Sequence, residues 1–115
     1  MLEVMNPWTG EIMECCIMED KYIMGDRLAL FLFERVHYHT GPRIEPFCDI
    51  TVNLPREELS GENCAFVDTN DAPFLPAFLE ENGLAEPTGM MGFSGFCAYP
   101  EYRFNMETVR KHEEV

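Results

Sequence analysis

The sequence predicts an α+β fold: an antiparallel sheet of four to five strands, one main helix packed on a face, and a short C-terminal helix. Three observations carry this. Residues 47–55 alternate, with Cys48, Ile50, Val52 and Leu54 on one side and Asp49, Thr51 and Asn53 on the other, the period of two of a half-buried strand. The Gly41-Pro42 turn joins that run to a second extended run before it, which reads as an antiparallel hairpin. Phe74, Leu75, Phe78 and Leu79 form one apolar helical stripe ahead of Gly83.

The elements follow in order. Asn6-Pro7-Trp8-Thr9-Gly10 reads as a turn, and Glu11 to Met18 as a strand. Tyr22-Ile23-Met24 reads as a short extended piece before the Gly25-Asp26 turn. Leu28 to Phe33 is apolar on both alternating faces, as in a strand covered on both sides, and continues to Tyr38. After the turn at 39–42, the strand from Ile44 to Leu54 runs back until Pro55 ends it. Arg56 to Gly61 is a loop or one helical turn, and Asn63 to Asp68 a strand. Thr69-Asn70-Asp71 offers cap side chains for a helix over Phe74 to Asn82, with Pro73 in its first turn. Ala85 to Gly95, rich in glycine, reads as a long flexible loop. Phe96 to Phe104 is extended, and Pro100 marks an edge strand or bulge. Asn105 caps a short terminal helix.

The 115 residues are expected to form a single domain, 1–115, with 1–10 and 106–115 peripheral or frayed. A chain of this size buries roughly 65% of its unfolded surface, enough for one core. The charge restricts the partners. With 21 acidic and 8 basic residues the chain carries −13, which repels nucleic-acid phosphates and anionic membrane. A protein partner is therefore expected, with no direct nucleic acid and no membrane contact. A basic partner, or imitation of the DNA that such a partner binds, would use this surface; otherwise it only keeps the chain soluble. Imitation requires Glu57, Glu58, Glu62, Glu80, Glu81 and Glu86 to lie in rows spaced like phosphates. Five cysteines, an odd number without a Cys-x-x-Cys, and a start without a basic n-region fit a reducing cytoplasm.

Thr51 to Pro55, Phe66 to Asn70, Phe78 to Gly83, Ser94-Gly95-Phe96 and Tyr99 to Phe104, in this order, resemble a family of small uncharacterised bacterial proteins. That family is a domain of unknown function met in gut bacteria and often beside genes of conjugative elements. The resemblance implies a cytoplasmic, bacterial protein, carried by a mobile element, and transfers no catalytic residue.

Chemistry-bearing residues are sparse. His37 and His39 have a spacing that can hold a metal if Cys48 or Asp49 comes near across the hairpin; otherwise both imidazoles sit exposed at its end. Cys15 and Cys16 read as one buried and one exposed thiol, and an acidic neighbourhood argues against a cysteine nucleophile. Asp68 with Asp71 reads as helix capping rather than a carboxylate pair. Gly89 to Gly95 lacks the lysine of a phosphate loop, but Met90, Met91 and Phe93 form a candidate contact surface, as does Trp8 in its turn. No catalytic residue or cofactor is expected; the rival to an interaction protein is a small metal-dependent module or enzyme using His37, His39 and Asp49 or Cys48. If the polar side of 47–55 is wet, Thr51→Asp is tolerated and Val52→Asp unfolds the chain. Because Leu28 to Phe33 is apolar on both faces, that polar side is instead expected to be partly covered, which makes Asp49, Thr51 and Asn53 pocket candidates.

Overall fold

The computed structural model describes residues 2–113. Two four-stranded antiparallel sheets and two short helices make up the architecture. The first sheet runs in the order β1 (Leu2–Met5), β2 (Ile12–Lys21), β3 (Leu28–Tyr38), β4 (Gly41–Asp49). The second runs β5 (Thr51–Val52), β6 (Cys64–Val67), β8 (Cys97–Phe104), β7 (Ala85–Ser94). Helix α1 (Leu75–Glu81) precedes β7, and α2 (Met106–Arg110) follows β8.

The hairpin at Gly41-Pro42 forms as expected, with Tyr38 opposite Gly41. The strand expected from 44 to 54 does not stay in one sheet. It breaks at Ile50, whose N–H donates to the Leu30 carbonyl at 2.9 Å while its own carbonyl accepts from Asp68 N–H at 2.9 Å. The chain thus leaves the first sheet and enters the second at one buried residue. Residues 23–25 turn rather than extend.

One core joins both sheets. Val4, Cys15, Ile17, Leu30 and Leu32 from the first meet Ala65, Val67, Tyr102 and Phe104 from the second, with Leu75 and Leu79 of α1. The segments expected at the periphery supply part of it: Leu2 and Val4 from β1, Met106 and Val109 from α2. Sheet thus faces sheet, and no single main helix covers one. The helical stripe is read correctly, since Leu75, Phe78 and Leu79 are buried, but α1 has only 7 residues. No side chain caps its start, whereas Gly83 and Leu84 close its end by donating to the Glu80 and Leu79 carbonyls, a Schellman motif. Asn105 does cap α2, accepting from Thr108 N–H at 3.2 Å.

The segment Ala85 to Gly95 is a strand, not a flexible loop. It pairs with β8 at both ends, and the register shifts between Pro87 and Met91. This bulge explains Pro100: β8 is a central strand, but Pro100 lies opposite Met91, where the bulge ends and past the last β6 pair at Phe66 and Glu101.

Beyond the bulge, β7 packs across a second, smaller core. Leu54, Phe66 and Tyr99 are buried there, with Val52, Leu59 and Cys97 around them. A buried carboxylate fastens it. Glu101 accepts from Ser60 N–H at 2.9 Å, from Ser60 Oγ at 2.6 Å and from Thr88 Oγ1 at 2.5 Å. One side chain on β8 thereby ties the 55–63 connection to the β7 bulge.

Candidate functional site

The pocket candidates Asp49, Thr51 and Asn53 do not line one common pocket. Asp49 is exposed at the end of β4, opposite Phe31. Thr51 is buried; its hydroxyl accepts from Leu30 N–H at 3.0 Å and lies 2.8 Å from the Tyr22 hydroxyl. Asn53 donates to the Met24 carbonyl at 3.1 Å. The cavity beside Tyr22 and Asn53 measures about 10 Å³, no more than one water's worth. The polar side of this stretch is covered only in part, at Thr51 and Asn53, by Tyr22 and Met24 of the 22–27 connection, while Asp49 stays exposed.

The imidazoles do not assemble a metal site. His37 stands exposed on β3 opposite Pro42, with Nε2 3.7 Å from Glu14 Oε2, and His39 lies in the turn beyond the strand. Cys48 and Asp49 pair with Leu32 and Phe31, at the other end of the hairpin. Among the described residues no three His, Cys, Asp or Glu side chains come together as ligands.

Thiol chemistry is equally unsupported. Cys15 and Cys16 are both buried, because β2 is covered on both faces at that point. Burial, with the nearby charge of Glu34, pushes the Cys15 thiol up to about 12. Burial and Asp49 do the same for Cys48. A nucleophile needs the opposite shift. Asp68 accepts from Asp71 N–H at 3.3 Å, a local turn bond, and burial holds its carboxyl above the usual range.

The remaining candidates form two apolar surfaces. The first is the outer half of the β7–β8 hairpin, from the bulge to the turn. Met90, Met91 and Phe93 are exposed there, and Phe96 in the turn is fully exposed at 109%. Phe96 was not among the expected contact residues, although it lies beside Gly95 in a sequence that already pointed to Phe93. A groove of about 280 Å³ separates Phe93 and Ser94 from residues 53–57. Glu57 reaches across it, accepting from Phe93 N–H at 3.4 Å.

The second surface surrounds Trp8. Asn6 Oδ1 accepts from Trp8 N–H at 2.8 Å and Thr9 N–H at 3.2 Å, which shapes the turn. The indole is 64% exposed yet anchored, with ring centroids 5.5 Å from Phe47 and 6.5 Å from Phe74. Phe74 continues to Phe78 at 6.0 Å. The four rings come from three separate segments: only Phe74 and Phe78 share a local signal, the helical stripe, and nothing local joins them to Trp8 or Phe47.

The carboxylates do not form one row. Glu57 borders the hairpin groove, Glu80 and Glu86 share a larger cleft of about 530 Å³ with Arg103, and Glu81 faces a groove beside β1. Four of the six expected carboxylates thus border three different depressions rather than one. Among the described residues, no helix is long and apolar enough to cross a membrane.

No curated protein and no solved structure matches the chain. One family model does match, over residues 17–114, a wider span than the motifs first suggested. The chain belongs to that family, described as a domain of unknown function (DUF4313).

Proposed function

We propose that this chain is a small acidic interaction or regulatory protein that binds a basic protein partner through the outer half of its β7–β8 hairpin. The reading places it in the cytoplasm of a bacterium, in the service of a mobile element, as the family resemblance implies. One observation carries it: Met90, Met91, Phe93 and Phe96 stand exposed together on a single hairpin of a chain that carries −13. Clustered exposed apolar side chains mark contact surfaces more often than singly scattered ones. Methionine adapts to varied partners, and phenylalanine supplies large buried area on docking. The surrounding acid sets the sign of the partner, because like charges across an interface oppose association.

A pull-down from the native host tests this, using the intact chain and the variant Phe93→Asp/Phe96→Asp. Both positions are exposed, so melting temperature is expected to hold. The expected result is a basic protein retained by the first bait and lost by the second, with retention falling as salt rises. Retention of the same proteins by both baits, or of none, rejects the hairpin as the contact.

A further inference from the structure

We propose a second docking site, the open edge of β1, for an extended segment of alternating basic and apolar residues in a partner protein. It rests on the reading above only for the partner's charge; its surface is different.

The edge is built to accept a strand. Asn6 N–H donates to the Glu11 carbonyl at 2.8 Å, which makes these two a bonded pair of the β1–β2 ladder. Pairs alternate along an antiparallel ladder, so Leu2 and Val4 bond to β2 and the backbone groups of Glu3 and Met5 face outward. The other edges are guarded. β4 carries Pro42 and Pro46, and β5 has two residues. β7 carries Pro87 and a bulge, and its Phe93 N–H is taken by Glu57. Past β1, the Ile17 N–H of β2 is taken by the His112 carbonyl. Among the described residues β1 has no such cover.

Beside this edge lies a groove of about 200 Å³ between β1 and α1. Val4, Met5, Phe74 and Phe78 give it an apolar lining, Glu3 and Glu81 border it, and among the described residues no basic side chain lines it. Phe74 connects it to the exposed indole of Trp8. A strand added here places one row of side chains on the Val4 side, against Phe74 and Phe78, and the other on the side of Glu3. Apolar residues suit the first row and lysine or arginine the second. A second copy of this chain suits neither, because it brings −13 to −13 and sets Glu3 against Glu3.

The test is titration of the full chain with a short blocked peptide in which lysine and valine alternate. Trp8 is the only tryptophan, so its fluorescence reports the site, and amide shifts of Glu3 and Met5 locate the peptide. Saturable binding is expected, weakened about tenfold or more by Met5→Pro, which removes an outward donor and no β2 bond. The same loss is expected with unaltered protein when the peptide is N-methylated at alternate residues, so the test survives if the proline variant fails to fold. Equal binding of a peptide with lysines and valines in separate blocks overturns the proposal. So do amide shifts confined to the outer half of the hairpin, and so does concentration-dependent dimerisation through β1. Failure of Phe93→Asp/Phe96→Asp to alter partner capture bears on the hairpin alone and leaves this edge standing.

Discussion

The backbone N–H of Leu30 donates to the hydroxyl of Thr51 at 3.0 Å, so a side chain takes the place of a ladder carbonyl where the chain changes sheets. The Tyr22 hydroxyl completes the arrangement at 2.8 Å from the same oxygen. Thr51→Val keeps the shape and removes the oxygen, leaving a buried N–H without a partner. The expected destabilisation is about 1–3 kcal/mol, read as a fall of several degrees in Tm. Thr51→Asp is expected to prevent folding, because it places an unpaired charge in a buried position. Val52 is half-exposed, so Val52→Asp is the milder change. Alternation alone ranks these two substitutions the other way round, and circular dichroism of both separates the readings.

That reversal shows which parts of the fold the sequence makes legible. Period-two patterning locates the strands, because burial on one face leaves its mark residue by residue. It does not locate the break at Ile50, which carries no glycine or proline and is decided by distant groups, Leu30 and Asp68. The Gly/Met segment misleads for a related reason. Gly89, at φ +90°, serves the bulge, and Gly92 serves a close approach; neither makes the segment a loop. At the candidate surfaces, Trp8 and Phe93 are legible as apolar residues in turn-like sequence. Phe47 and Phe74 are not, since only tertiary packing brings them to Trp8.

Gly92 offers a direct test of that packing. A Cβ at this position would lie 2.6 Å from Phe66 Cε1 and 2.8 Å from Leu54 Cδ1, both inside the smaller core. Gly92→Ala is therefore expected to destabilise by about 1–3 kcal/mol through overpacking. A flexible loop would tolerate the change or be stabilised by it. Denaturant melts of the variant decide between the two.

The thiols of Cys15 and Cys48, raised to about 12, are expected to resist alkylation in the folded protein. At pH 8 a group with that pKa is ionised roughly one part in ten thousand, against about a quarter for an ordinary thiol. Iodoacetamide labelling followed by mass spectrometry is expected to leave both unmodified in native buffer and to modify both in denaturant. Fast native labelling of Cys48 would show an open, activated thiol and revive a nucleophilic role.

Glu101 makes the fold sensitive to acid in a defined sense. Burial opposes its ionisation, but the Ser60 and Thr88 hydroxyls, the Ser60 N–H and the Arg103 guanidinium outweigh that and hold its carboxyl below the usual range. A lowered folded pKa gives stability that is present above the unfolded value and is lost as pH falls through the folded one. In Glu101→Gln the amide oxygen can still accept from Ser60 N–H and the amide nitrogen can donate to the two hydroxyls, so the charge is removed and the two hydroxyls turn from donors to acceptors. The variant is expected to be about 1 kcal/mol less stable at neutral pH, the difference between a charged and a neutral set of bonds. That gap should begin to close as pH drops below the ordinary glutamate range, roughly 4.3, where the unfolded chain takes up the proton first, and be gone once the folded carboxyl is protonated as well. Asp68 acts in the opposite direction, since burial raises its carboxyl, but it is present in both proteins and cancels in the comparison. Urea melts of the two proteins between pH 7 and pH 3 provide the measurement. A gap that stays constant across that range would mean that the Glu101 carboxyl has the same affinity for a proton in the folded and the unfolded chain, and that its hydrogen bonds do not favour the charged form.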